Sequence, residues 1–313
     1  MRVVFMGTPE IAASVLKSLI ESRHEVVGVV TQPDRPNARG NEIIYSDVKK
    51  VALEYNIPVL QPEKASEETS VESIRALNPD IIVVTAYGQI LKENILNLPK
   101  YRCINVHASL LPKYRGASPI QWAIINGEKE TGVTIMYMEK GLDTGDMILA
   151  KSIEIASKET AGTLHDRLAE IAGPTLLEAM ELIESGKAVP VKQNDEESTY
   201  VKMLSKSMGE LKFDTEAVKL ERLIRGLIPW PGAFTFIEGR MLKIWECEVS
   251  EEQYDGMRVP GRFFTKDNSR MFVETNDKCL ELTVIQAEGK KRMNTADYLR
   301  GAKLPESGQC GRA

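Results

Sequence analysis

In its first third the chain alternates short apolar runs with stretches of helical period, and that alternation admits few folds. Residues 3–6 are apolar without a break, as in a strand buried on both faces. Gly7-Thr8-Pro9 follows, with Thr8 as the expected N-cap and Pro9 at the first helical position, where its missing N–H is no loss. Ile11, Val15, Leu16, Leu19 and Ile20 then recur at helical spacing. Further strands are predicted at residues 25–31, 80–86 and 102–107, and helices at 47–55 and 70–77. Strand and helix in alternation imply a parallel sheet with right-handed crossovers.

The glycine pattern narrows the ligand. Gly7-Thr8-Pro9 lacks the second and third glycines of G-x-G-x-x-G, so a dinucleotide pyrophosphate would miss its close backbone approach. The sheet is Rossmann-like, but a dinucleotide oxidoreductase is disfavoured. In open α/β sheets ligands sit beyond the carboxyl ends of the strands. Thr85-Ala86-Tyr87-Gly88-Gln89, residues 105–111 and the loop at Asp143 are all expected at that edge.

Strands at 132–136 and 147–154 precede a long helix over 161–185, whose Leu164, Leu168, Ile171, Leu176, Met180 and Ile183 form a core stripe. Residues 186–206 are polar and irregular, as in an interdomain linker. Beyond Gly209 the style changes to a helix at 216–226, a rigid Pro229-Trp230-Pro231-Gly232 turn, and short alternating segments over 233–285. Such segments read as a small barrel or sandwich. The expected division is a catalytic domain at 1–189, a linker at 190–206 and a second, all-β domain at 207–313.

The net charge of −5 excludes a strongly basic nucleic-acid protein, but it is unevenly spread. Residues 207–313 carry 17 basic and 17 acidic side chains, so the whole excess lies in the first 206. Cys103, Cys247, Cys279 and Cys310 show no C-x-x-C spacing and read as reduced thiols of a cytoplasmic protein. Neither a secretory signal nor an apolar run of about 18 residues is present, so no membrane partner is expected.

Asn105 and His107 stand two apart in one predicted strand and so share a face. Leu110-Leu111-Pro112 ends that strand, because proline has no N–H for the ladder. Gly141 and Gly145 are expected to permit unusual backbone angles around Asp143. An amide donor, an imidazole and a carboxylate together suit proton transfer beside a carbonyl that becomes an oxyanion. Taken alone, an Asn-x-His pair at a strand end serves structure more often than chemistry. Ser109 as a nucleophile is disfavoured, since His107 is an i, i+2 neighbour and no strained elbow surrounds it. His24 and His165 have no ligand spacing around them, and no metal is expected.

These segments resemble a known family. Phe5-Met6-Gly7-Thr8-Pro9, Thr31-Gln32-Pro33-Asp34-Arg35-Pro36, Ala86-Tyr87-Gly88, Asn105-Val106-His107, Ser109-Leu110-Leu111-Pro112, residues 131–136 and 141–146, Pro229-Trp230-Pro231-Gly232 and Gly289-Lys290-Lys291 are similar to the methionyl-tRNA formyltransferases. That family belongs to the enzymes using 10-formyltetrahydrofolate. The resemblance implies formyl transfer to the α-amine of methionine on initiator tRNA, with a Rossmann-like domain followed by an OB-like barrel. It implies catalytic roles for Asn105, His107 and Asp143. It also implies a folate site at Ser109, Leu110, Leu111 and Pro112, with a pteridine pocket near Gln89, Ile90, Leu91, Glu139, Lys140, Gly141 and Leu142.

For tRNA, the resemblance implies contacts from Arg39, from Lys206 in the linker, and from Lys290, Lys291 and Arg292. Asn41-Glu42 stands where the family commonly has two lysines, which weakens phosphate attraction at the Arg39 loop. A monomer acting on initiator methionyl-tRNA, without DNA as a partner, is the expected working form. A related sugar-nucleotide or small-amine formyltransferase is the alternative, and Ala117 after Arg115-Gly116 leans away from it. A non-catalytic binding module would be expected to lack one of Asn105, His107 and Asp143.

Overall fold

Strand β1 (Arg2–Gly7) is buried at every position after its first, as an apolar run without alternation requires. The computed structural model describes residues 1–36, 43–302 and 304–311. Arg39, Asn41 and Glu42 lie outside the described residues. In chain order β1 is followed by α1 (Glu10–Ile20), β2 (Glu25–Val30), α2 (Asp47–Glu54), β3 (Val59–Leu60), α3 (Glu68–Ala76) and β4 (Ile81–Thr85). Then come β5 (Cys103–His107), β6 (Arg115–Gly116), α4 (Pro119–Asn126), β7 (Glu130–Tyr137), β8 (Met147–Glu154), α5 (Ala161–Glu184) and β9 (Tyr200–Val201).

Two compact units emerge. The first comprises residues 1–119, 130–154 and 165–201, and the second residues 120–129, 155–164 and 202–313. A seven-stranded sheet organises the first, in the order β8-β7-β5-β4-β1-β2-β3. Strands β1 to β5 are mutually parallel, as the alternation implies. The last two depart from it: β7 runs antiparallel to β5, and β8 antiparallel to β7. Helical and strand periods say nothing about direction, and a connection as short as 138–146 joins only antiparallel neighbours.

Local corrections follow the same logic. Pro9, not Thr8, occupies the N-cap of α1, and the Thr8 hydroxyl instead donates to the Tyr87 carbonyl at 3.1 Å. Ile11, Val15, Leu16 and Leu19 of α1 are buried. Gly173 of α5 lets the two helices approach, since a Cβ there would stand 2.0 Å from the Ser18 hydroxyl oxygen. Residues 190–201, expected within an irregular linker, belong to the first unit: β9 pairs in parallel with β6, Tyr200 opposite Arg115 and Val201 opposite Gly116.

The second unit holds α6 (Ala217–Gly226), β10 (Ala233–Ile237), β11 (Arg240–Ser250), β12 (Arg262–Lys266), β13 (Arg270–Glu274), β14 (Cys279–Ala287), β15 (Met293–Asn294), α7 (Thr295–Gly301) and β16 (Ser307–Gln309). Its antiparallel sheet runs β10-β11-β14-β13-β12-β16, with β15 on β14. The sheet curls until its two edges meet, through an Ile237–Cys310 bridge and a Gly311 N–H donated to the Phe236 carbonyl at 2.9 Å. Inward residues alternate along β10, and Leu220 and Ile224 of α6 join Phe263, Met271, Leu280 and Ile285 in one core. This is an OB-like, all-β arrangement.

Candidate active site

Strand β5 is buried throughout, and Asn105 and His107 project from one of its faces. Asn105 pairs with Val84 of β4 on one side and Met136 of β7 on the other, so its position is set by two strands. The Asn105 amide donates toward Asp143 Oδ1 at 3.4 Å. His107 Nδ1 stands 3.8 Å from Asp143 Oδ2. The three side chains therefore meet on one carboxylate.

The other imidazole nitrogen is committed. His107 Nε2 donates to the Tyr114 carbonyl at 2.9 Å, because a carbonyl can only accept. The ring thus carries its proton on Nε2 in the neutral form, and Nδ1 is left to exchange a proton on the Asp143 side. The Gly116 N–H donates to Asp143 Oδ2 at 2.8 Å.

The Asp143 loop reaches this place by an unexpected route. Because β7 is antiparallel, residues 138–146 leave the sheet where β5 begins: the Met138 N–H donates to the Cys103 carbonyl, and Arg102 pairs with Glu139 at 3.8 Å. The loop is therefore not rooted at the carboxyl edge of the parallel strands. It folds back along the sheet face until Asp143 meets Asn105 and His107. Neither Gly141 nor Gly145 takes a left-handed backbone; Asp143 itself does, at φ +54°. The glycines supply room instead, since a Cβ on Gly145 would lie 1.8 Å from the Tyr137 carbonyl oxygen and one on Gly141 2.2 Å from the Thr144 hydroxyl. Aspartate tolerates the left-handed region better than most residues.

Residues outside the expected set hold the loop. Gln193 donates through Nε2 to the carbonyls of Asp143 and Gly145, both at 2.8 Å. Its Oε1 accepts from Arg115 Nε at 3.0 Å. Arg115, almost fully buried, also donates to the Tyr200 hydroxyl at 2.9 Å and pairs with Asp195 at 2.8 Å. No spacing rule marks these residues in the sequence. Polar composition around Gln193 looks the same whether the segment is solvated or buried.

The expected folate residues divide. The Ser109 hydroxyl is buried and donates to the Lys113 carbonyl at 2.7 Å, while the Ser109 carbonyl accepts from Thr134 at 2.7 Å, so the 108–113 turn is braced from within. Leu111 is buried, Pro112 is half-buried, and Leu110 packs where Gly132 lacks a side chain. Gln89 binds the 62–65 segment, accepting from the Ala65 N–H at 2.8 Å, and Leu91 lies in the core. Ile90 and Leu142 are the exposed apolar side chains, at 82% and 56%. Lys140 and Gly141 are exposed beside them in sequence. Tyr87, two residues before Gln89, is buried with no partner for its hydroxyl, and burial pushes that hydroxyl up to about 12.

Of the expected tRNA residues, Lys206, Lys290 and Lys291 are exposed. Arg292 is engaged: it pairs with Glu246 at 2.6 Å and lies over the Trp245 ring at 4.9 Å. Among the described residues no three metal-ligating side chains gather, and no helix is long and apolar enough to cross a membrane.

Comparison with known proteins adds family evidence to this geometry. Residues 1–180 match the model described as Formyl transferase, and residues 203–303 that described as Formyl transferase, C-terminal domain. The chain is 51% identical over 308 residues to the methionyl-tRNA formyltransferase of Lachnospira eligens, covering 97% of this chain and 98% of that protein. It is 50% identical over 307 residues to that of Caldanaerobacter subterraneus, covering 98% of each. Among solved structures, a sugar 3N-formyl transferase determined in the presence of dTDP and 5-N-formyl-THF gives a TM-score of 0.67 at 19% identity, covering 93% of this chain and 99% of that one. An N-formyltransferase of Helicobacter canadensis, in complex with folinic acid and dTDP-3-aminofucose, gives 0.66 at 20%, covering 92% and 99%. These structural likenesses speak to the fold alone.

Proposed function

The chain belongs to the formyl transferase family, among its methionyl-tRNA formyltransferases, and we propose that Asn105, His107 and Asp143 carry its chemistry. It moves a formyl group from 10-formyltetrahydrofolate to the amine of methionine carried by tRNA. The folate supplies the activated formyl group; the protein supplies orientation, charge and protons. In the transfer the formyl oxygen gathers negative charge, the amine gives up a proton, and the departing nitrogen needs one. Asn105 supplies an amide N–H to that oxygen. His107 exchanges its proton at Nδ1, and the Asp143 carboxylate balances the imidazolium that results.

The observation that carries this reading is the meeting of an amide, an imidazole and a carboxylate, with Asp143 Oδ2 3.8 Å from His107 Nδ1. Exposed Ile90 and Leu142 fit an apolar face for the pteridine, with Gln89, Leu91, Glu139, Lys140 and Gly141 shaping the loops that present them. The turn Ser109 to Pro112 borders the folate. Residues 1–189, with 190–201 bound to them, are the catalytic part, 207–313 the tRNA-binding part, and 202–206 the join. Lys206, Lys290 and Lys291 meet phosphates, and Arg292, already paired, contributes less. The acceptor is initiator methionyl-tRNA, and the enzyme works as a cytoplasmic monomer.

The test offers the purified protein 10-formyltetrahydrofolate with charged initiator tRNA, charged elongator tRNA, or an amino-sugar nucleotide. Formyl is expected on the first alone. Formyl appearing on the amino sugar at comparable rate would overturn the assignment.

A further inference from the structure

We infer that Gln193 is a positioning residue, which together with Arg115 fixes the Asp143 carboxylate against Asn105 and His107. This rests on the catalytic reading of Asp143 and extends it. Gln193 is 5% exposed in a stretch of otherwise solvated side chains. Both of its N–H donors are spent on the site, on the carbonyls of Asp143 and Gly145, and its oxygen accepts from Arg115. Asp143 needs such a hold, because a left-handed residue is not kept in place by its own preference.

The same segment grips the site a second way, through its backbone. The Arg115 N–H donates to the Thr199 carbonyl at 2.8 Å, and the Ala117 N–H to the Val201 carbonyl at 3.1 Å. That pairing places the Gly116 N–H, which in turn holds Asp143 Oδ2. Gly116 can have no side chain there: its φ is +99°, and a Cβ would stand 2.6 Å from the Val201 carbonyl oxygen. The Tyr114 N–H is held by the Thr199 hydroxyl at 2.8 Å, and the Tyr114 carbonyl is the acceptor that orients His107. Residues 193–201 thus govern both the carboxylate and the imidazole. Arg115 locks the arrangement, because its three side-chain partners, Gln193, Asp195 and Tyr200, all come from that segment.

Gln193→Glu keeps the size and the acceptor for Arg115 but removes both N–H donors. It is expected to lower kcat about a hundredfold, the scale of an ångström of misplacement, with KM for folate and for tRNA within about threefold. Gln193→Met, uncharged and of similar volume, is expected to show the same split and serves if the glutamate variant fails to fold. Each is also made on an Asp143→Asn background. If Gln193 acts through Asp143, the second substitution adds little to a loss already taken. Wild-type kcat in a folded Gln193 variant, a loss confined to KM, or multiplicative losses in the double variant would overturn the positioning role alone. Asp143→Asn at wild-type speed would remove the catalytic reading as well.

Discussion

Replacing Asp143 by asparagine separates charge from shape at the centre of the site. Asparagine adopts the left-handed backbone that residue 143 requires, at φ +54°, and keeps a carbonyl oxygen for the Gly116 N–H at 2.8 Å. The stability cost should therefore be about 1–2 kcal/mol, for the charge-assisted bond made neutral at Gly116 and the acceptor that Asn105 loses at Oδ1. The catalytic cost is larger. Coulomb's law at the 3.8 Å separation of Asp143 Oδ2 from His107 Nδ1, with an effective dielectric near 20, gives about 4 kcal/mol for the carboxylate–imidazolium attraction. Losing it should lower kcat by roughly a thousandfold. Asp143→Ala should be as slow but less stable by a further 1–2 kcal/mol or so, since alanine resists that backbone region. Single-turnover formylation measures the first effect and urea unfolding the second. An Asp143→Asn enzyme within about tenfold of wild-type kcat would refute the electrostatic argument.

Three further outcomes follow. Asn105→Ala should lose about 3 kcal/mol of transition-state stabilisation, a hundredfold or more in turnover, with folate binding little changed; near-normal turnover would count against an oxyanion role. Removing Lys290 and Lys291 together should flatten the slope of log affinity for tRNA against log salt by roughly 1 to 2, and an unaltered slope would place the phosphates elsewhere. Burial pushes the thiols of Cys103, Cys247 and Cys310 up to about 12, from an ordinary value of 9. The folded chain then keeps protons that the unfolded chain releases, so stability is intact below pH 9 and falls as pH rises toward 12. The urea midpoint should drop between pH 8 and about 10.5, with the native thiols inert to aromatic disulfides at pH 8; rapid labelling there would contradict the burial argument.

Local periodicity carried much of the architecture. The alternation of apolar runs and helical stretches locates β1, β2, β4 and β5 and their helices, but not the two-residue β3, because only the longer strands covered on both faces leave a compositional trace. Spacing by two was enough to put Asn105 and His107 on one face. What escaped depends on distant pairs. Only β7 is reversed against β1 to β5, although residues 108–129 are long enough for a crossover, and β8 turns back across the short 138–146 loop; apolar pattern encodes neither direction. Gly141 and Gly145 were legible as special, but not whether angle or space demanded them. The hold of Gln193 and Arg115 on the site was invisible, since they lie far apart in sequence and polar residues look alike when solvated and when fully bonded.

The last strand of the second unit has a bearing on how that unit is made. Ser307–Gln309 comes later in the chain than every other stave, yet the sheet seals only when its neighbour Cys310 reaches Ile237. During synthesis the 233–237 and 262–266 staves must therefore wait with unpaired backbone groups facing water. A ribosome stalled short of Ser307 would release a sheet with one border naked and the other covered only at Phe234, by residues 210–211, a template for sticking to its own kind. Quality control should meet such fragments as aggregates rather than as slightly weakened enzymes.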